Sequence, residues 1–315
     1  MAQLTIIIPF LNEGNEIENT VVSIRETAVT NPVILLVNDG SDDNFDYESV
    51  AVDHNCLYIK NEKRLGSAAA RDTGVAACET PYFLMLDGHM RLYEKGWDEK
   101  LIKLLAKNPR SILCGQTRVL KRNEEDDTVI RNEVIQRVTY GAYLNMEKEG
   151  LLGVKWNCAN RIPHSDLVEI PCVLGAAYAC NKDYWQRLLG LKGLLYYGLE
   201  EQLMSIKVWL EGGQCLLVKD FVVGHLYRKT FPYEVPNTES FYNRLFLLEL
   251  LFPYSIKNDF FAQYQLVYTA QFKKAFTLLQ NRYPEIKAQK DYLSTVFQNG
   301  MDYFLALNEK IQMLN

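Results

Sequence analysis

Tyr82-Phe83-Leu84-Met85-Leu86-Asp87-Gly88-His89 is the stretch on which the fold of this chain turns. Its first five residues are apolar or aromatic, and so short an uninterrupted run is predicted to be a central strand buried on both faces. The run stops at an acid, a glycine and a histidine. In open α/β sheets, ligands bind beyond the carboxyl ends of the strands. Asp87 offers a hard oxygen and His89 an imidazole nitrogen. Gly88 is expected to supply the tight bend that aims both at one ion. This mixed donor pair suits Mn²⁺ better than Mg²⁺, which prefers oxygens and water. Taken alone, the triplet also reads as an ordinary Asp-Gly turn.

Upstream, Leu4 to Phe10 is a β-branched strand punctuated by Pro9, and a helix is predicted from Ile17 to Ala28. Val33 to Val37 is a second strand, ending in Asn38-Asp39-Gly40-Ser41-Asp42-Asp43. Strand, polar loop, helix, strand predicts a right-handed βαβ unit and a parallel sheet. Neither loop carries the Gly-x-Gly-x-x-Gly of dinucleotide sites. Cys56 to Ile59 is a third strand. The alanines after Gly66-Ser67 favour a helix, with Ser67 as its expected N-cap. Arg64 precedes that helix and Arg71 lies one turn inside it, an arrangement suited to a phosphate or to a solvated basic turn.

Downstream, Trp97 to Ala106 reads as helix and Ser111 to Val119 as strand. Asn123 to Asp127 reads as a charged loop, Ile130 to Glu149 as helix, and Trp156 to His164 as irregular. Cys172 to Cys180 has strand character, and its small residues Gly175, Ala176 and Ala177 allow a ligand close to the backbone. Glu200 and Glu201 open a helix, where two acids also suit the helix dipole, and Gly212-Gly213 end it. Cys215 to Val218 and Phe221 to Val223 read as two strands. From Asn237 the strand pattern ceases. This predicts a boundary, with residues 1–236 as one domain and 237–315 as a helical C-terminal extension. Phe241 to Phe252 is apolar enough to pack on the main domain, on a second subunit or on a membrane surface.

The chain has 315 residues and a net charge of −5, which weighs against nucleic acid as a partner. Seven cysteines without a Cys-x-x-Cys pair are expected to be buried thiols in a reducing compartment. No leader and no apolar run of roughly 20 residues is evident. The expected location is therefore cytoplasmic, with peripheral contact to the inner face of the membrane or a homodimer as the roles open to the C-terminal helices.

Ile6 to Glu13, Val37 to Asp42, Gly66 to Arg71 and Leu86 to His89 occur in an order that resembles the nucleotide-sugar half of GT-A glycosyltransferases of the family-two group. Gly175-Ala176-Ala177, Tyr197-Gly198-Leu199-Glu200-Glu201 and Val223-Gly224-His225-Leu226-Tyr227-Arg228-Lys229 are similar to blocks of the polypeptide N-acetylgalactosaminyltransferases. That family carries Asp-x-His, Trp-Gly-x-Glu-Asn and Val-Gly-His-x-x-Arg-Lys in this order. The likeness covers about residues 4–236, and no lectin-type repeat follows.

The resemblance implies a mixed, mainly parallel α/β sheet of GT-A (Rossmann-like) type, flanked by helices. It implies a UDP-sugar donor, Mn²⁺ or Mg²⁺, and a carbohydrate, lipid-linked or protein acceptor. By the same likeness, Asp87, His89 and His225 ligate the metal. Asp39 receives the uracil, and Pro9 with Asn12 or Glu13 flanks the nucleoside. Arg64 and Arg71 face the ribose-diphosphate, while Gly66, Gly88, Gly175 and Ala176 line the donor site. Arg228 and Lys229 belong to a closing loop. Glu200 matches the family's Glu near the donor sugar. Glu201 replaces Asn and Tyr197 replaces Trp, departures that leave sugar and stereochemistry open and make Glu201 a candidate acceptor base. The competing reading is a non-catalytic UDP-sugar- or carbohydrate-binding protein on the same fold. A nucleotidyltransferase fits less well, because Pro9-Phe10-Leu11-Asn12-Glu13-Gly14 stands where such enzymes have a Gly-rich loop.

Overall fold

The computed structural model describes residues 2–122, 129–134, 140–147, 150–157, 166–228 and 230–314. The chain opens with β1 (Leu4–Phe10), α1 (Glu16–Thr27), β2 (Val33–Asn38), α2 (Tyr47–Asp53) and β3 (Leu57–Lys60). Helix α3 (Ser67–Ala77) leads into β4 (Tyr82–Leu86) and the short β5 (Met90–Leu92). Next come α4 (Trp97–Lys107), β6 (Ser111–Arg122), β7 (Val129–Val134), β8 (Ala142–Leu144), β9 (Val154–Trp156) and β10 (Leu167–Glu169). Strand β11 (Ala177–Asn181), α5 (Lys182–Arg187), α6 (Glu200–Glu211) and β12 (Gln214–His225) finish the sheet. Five helices follow: α7 (Asn237–Leu251), α8 (Tyr254–Val267), α9 (Thr269–Asn281), α10 (Tyr283–Val296) and α11 (Met301–Gln312).

The main sheet has the order β10-β12-β6-β11-β4-β1-β2-β3. β3, β2, β1 and β4 run parallel, as do β6 and β12, while β11 enters antiparallel between β4 and β6. This is the expected class: a mixed α/β sheet flanked by helices, with helices at the C-terminus. β1 and β4 are buried on both faces, and the strand period of two sends alternate side chains to opposite layers. Ile6, Ile8, Leu84 and Leu86 join α1, α2 and α4. Ile7, Phe83 and Met85 join α3, α6 and the C-terminal helices.

Some local expectations change. The residues expected as helix over 130–149 are strand wherever they are described in regular structure, at β7 and β8. β-branched Val129, Ile130 and Val134 favour a strand, and β8 gains a ladder with β9. The charged loop at 123–127, Cys158 and the stretch 158–164 lie outside the described residues. Ser67 is the first helical residue rather than the cap. Gly66 takes the cap position at φ +98°, because a Cβ there would stand 2.1 Å from Tyr196 Cα. Cys172 to Ala176 precede β11 rather than belonging to it. The two strands expected at 215–223 are one, β12, bent by a register shift between Val218 and Val222. The six described cysteines are all free thiols.

Helix α7 is not an appendage to the core. Tyr242, Leu245, Phe246, Leu247 and Leu248 are buried in the same cluster as Phe83, Trp185 and Leu203. Phe246 packs on Gly193, where a Cβ would come within 2.3 Å of its ring. Among the described residues, no helix is long and apolar enough to cross a membrane. Replacing Phe246 with Ala is expected to cost roughly 3–5 kcal/mol in urea unfolding, with one cooperative transition for sheet and helices together. Two separate transitions would show that residues after 236 fold independently.

Candidate active site

The carboxyl ends of β1, β2 and β4 open into a cleft of about 690 Å³. β4 delivers Asp87 to its floor, and the Asp87 N–H donates to Ala176 O at 3.1 Å. Gly88 does not take a backbone conformation reserved for glycine; close approach requires it. A Cβ there would lie 2.8 Å from Ile17 Cδ1 and 3.1 Å from Glu13 Cγ. The antiparallel pairing of β5 with β12 sets His225 opposite Met90, and the Leu226 N–H donates to His89 O at 3.2 Å. That register brings together two histidines 136 residues apart.

Their Nε2 atoms face each other at 3.1 Å, and Asp87 Oδ2 lies 3.4 Å from His225 Nε2. One donor atom from each of Asp87, His89 and His225 falls within 4.8 Å of the others. On its far side, His89 Nδ1 lies 3.1 Å from Glu13 Oε2. With its proton on Nδ1, His89 turns the Nε2 lone pair to the cluster, the support that carboxylates give metal-bound histidines. A cation with bonds of roughly 2.1 Å holds adjacent donors roughly 3 Å apart, so the three side chains fit a divalent ion. Burial lowers the His225 pKa, which keeps its imidazole neutral and able to ligate. Burial alone would raise the Asp87 carboxyl, but His225 and the charge of Arg71 hold it well below the usual carboxylate range.

Arg71 projects from α3 beneath this group. It is buried, and its guanidinium lies 3.2 Å from Asp87, 3.6 Å from Glu201 and 3.8 Å from Glu200. Glu200 takes the Gly198 N–H on Oε2 at 2.8 Å, while its buried Oε1 has no hydrogen-bond partner among the described residues. Burial first, then the neighbouring charge of Glu201, raise the Glu200 carboxyl to about 7. Glu201 faces Gly175, where a Cβ would come within 2.0 Å of its Oε1.

Pro9, Glu13, Asp39, Arg64, Arg71, Asp87, Gly88, His89, Gly175, Ala176, Glu200, Glu201, His225 and Arg228 all line the cleft. Asn12 and Gly66 do not. Asn12 ties the loops after β1 and β2 together, through Ser41 Oγ at 2.9 Å and Asp42 at 2.8 and 2.9 Å. Gly66 gives its N–H to Asp39 Oδ2 at 2.7 Å. Asp39 Oδ1 takes Asn61 Nδ2 at 2.8 Å and the Leu65 N–H at 2.9 Å, so this carboxylate also organises the entry to α3. Arg64 donates to Glu234 O at 2.7 Å and lies over the Tyr233 ring. Arg228 pairs with Glu13. Lys229 lies outside the described residues.

Several cleft residues were given no role by sequence reasoning, among them Tyr227, Phe231, Ser240 and Arg244. Tyr227 packs edge-on to His225 at 4.3 Å between ring centroids. Ser240 and Arg244 are one turn apart on α7, a spacing that shares a face but does not say which face meets the cleft.

Residues 5–165 match the model of glycosyl transferase family 2, and the chain belongs to that family. Among particular proteins, rat polypeptide N-acetylgalactosaminyltransferase 10 is 29% identical over 241 residues, which is 74% of this chain and 39% of that protein. Polypeptide N-acetylgalactosaminyltransferase 4 of Caenorhabditis elegans is 27% identical over 248 residues, 75% of this chain and 40% of that protein. The chain thus spans under half the length of the curated relatives it matches. The crystal structure of GalNAc-T7 with UDP, GalNAc and Mn²⁺ superposes with a TM-score of 0.77 at 19% identity, covering 99% of this chain and 58% of that one. Residues 1–349 of S. aureus TarS in complex with UDP-GlcNAc give 0.54 at 13% identity, covering 99% and 92%. These likenesses establish the GT-A fold.

Glu200 generates a pH dependence. A carboxyl raised from 4.5 to about 7 on folding adds stability that is complete below its unfolded value and is lost as pH rises through the folded one. Replacing Glu200 with Gln removes this term. Wild type should therefore lose melting temperature relative to E200Q between about pH 4.5 and 7, by roughly 2 °C or more in calorimetric scans. Parallel pH profiles would mean that Glu200 stays ionised throughout.

Proposed function

We propose that this protein is a metal-dependent glycosyltransferase that moves a sugar from a UDP-sugar to a hydroxyl of a glycan, lipid-linked glycan or protein acceptor. The observation that carries the reading is the convergence of Asp87, His89 and His225 at the end of the central strands. Membership of glycosyl transferase family 2 and the N-acetylgalactosaminyltransferases among its relatives support it.

Asp87, His89 and His225 would hold the cation, with Glu13 orienting His89. A bound divalent ion supplies Lewis-acid stabilisation to the departing diphosphate. Asp39, Pro9 and Glu13 form the nucleoside end of the cleft, and Arg64 and Arg71 flank the path of the phosphates. Arg228, paired with Glu13, ties the segment after β12 over the site, where excluding water protects the donor from hydrolysis. Glu200, whose carboxyl burial raises toward neutrality, faces the donor's sugar hydroxyls on this reading. Glu201 is the carboxylate placed to take the acceptor proton if the reaction inverts. Residues 1–236 form the catalytic unit on this reading, and 237–315 support it.

Calorimetry should show UDP binding that strengthens with Mn²⁺ and weakens with chelator. Equal affinity in both conditions would sink the metal reading. Asp87→Ala and His225→Ala should each lower donor turnover at least about a hundredfold while leaving the circular dichroism spectrum unchanged. Retained turnover in either variant removes that residue from the site. NMR of the product reads the stereochemistry. A β-linked product from an α-linked donor supports Glu201 as base, and an α-linked one removes that role.

A further inference from the structure

We propose that Asn243, in the second turn of α7, is a positioning residue for the turn that presents Glu200. On this view a helix beyond the family-matched residues is part of the working site. The inference rests on the transferase reading above and concerns what holds its sugar side in place.

The turn is Leu195–Leu199. Three of its residues take left-handed backbone: Tyr196 at φ 51°, Gly198 at φ 103° and Leu199 at φ 74°. Glycine adopts this region freely, but Tyr196 and Leu199 carry a Cβ that crowds the backbone there. A conformation of this kind persists only where its surroundings over-determine it. One side is set by α3, where Gly66 leaves room for the Tyr196 backbone and the Ala68 N–H points at Tyr196 O at 3.4 Å.

The other side is set by Asn243, which is fully buried. Its Oδ1 accepts the Leu195 N–H at 2.8 Å. Its Nδ2 donates toward Leu195 O at 2.8 Å, Gly198 O at 3.0 Å and Tyr197 O at 3.3 Å. The Leu195 donor fixes which end of the amide is oxygen. Every described hydrogen bond of this side chain therefore ends on one strained turn.

What the turn carries makes the contact more than structural. Its Gly198 N–H donates to Glu200 Oε2 at 2.8 Å, and Tyr197 lines the cleft against Phe231. Pro9 and Asp39 stand at the ends of β1 and β2 rather than on this turn, and Asp39 meets it through Gly66, which no hydrogen bond of Asn243 reaches. If Asn243 releases the turn, Glu200 and Tyr197 move while the nucleoside end stays. The expected defect lies in sugar handling, with UDP binding spared.

Asn243→Asp tests this. It keeps side-chain volume and the acceptor for Leu195, but sets a second oxygen against three carbonyls. Asn243→Ser is the second variant should the first not fold. UDP affinity with Mn²⁺ is measured by calorimetry, and turnover of UDP-N-acetylgalactosamine, UDP-N-acetylglucosamine and UDP-glucose by UDP release. Amide exchange across residues 193–201 is followed in parallel. The expected result is UDP affinity within about twofold of wild type, turnover of the preferred donor down between about ten- and a hundredfold, and faster exchange at Leu195 and Gly198. Faster exchange with unchanged turnover would overturn the proposal, because the contact would then be structural alone. Parallel loss of UDP affinity and turnover would also overturn it, since the whole cleft would have collapsed. A wild type that turns over none of the donors counts against the transferase reading instead. The ratio of UDP-sugar to UDP affinity then decides the role of Asn243, and an unchanged ratio in the variant refutes it.

Discussion

The buried guanidinium of Arg71 is the interaction on which the arrangement of this site depends. Asp87, Glu200 and Glu201 come from β4 and α6, and without a cation between them their carboxylates would repel. Arg71 reaches them from α3, the helix whose entry is tied to β2 through Asp39. One positive charge among three acids leaves an excess of negative charge immediately around Arg71. Part of it is relieved by raising the Glu200 carboxyl toward neutrality. A site with this balance is suited to a further cation, and the two facing imidazoles supply nitrogen donors for one.

The second constraint is the closure of the sheet. β12 runs parallel to β6 along its length and then pairs antiparallel with the three-residue β5. That short ladder carries His225 to His89. The bulge between Val218 and Val222 bends β12 along the way. A slip of one residue would turn His225 to the opposite face of the sheet and dissolve the cluster.

The helices after β12 extend these constraints. α7 shares the core layer of α3 and α6, and Asn243 reaches from it to the turn before α6. Ser240 and Arg244 place the same helix on the cleft wall. The helical segment after β12 is therefore fused to the site by packing and by hydrogen bonds.

What the amino-acid order determined alone was local. The apolar run 82–86 ending in Asp-Gly-His, the βαβ rhythm of residues 4–37 and the paired acids opening α6 were legible because strand burial, helix entry and ligand chemistry act over a few neighbouring residues. The family blocks extended that reading to His225. Local pattern failed where tertiary partners outweighed it. β8 is strand because β9 pairs with it, and Gly66 rather than Ser67 caps α3 because the Tyr196 backbone occupies the space a side chain would need. Only the folded chain decided that a polar residue within an apolar helix, Asn243, would meet a strained turn 45 to 48 residues before it. Such contacts depend on how helices pack, and no periodicity in a single segment encodes the face that a distant segment will present.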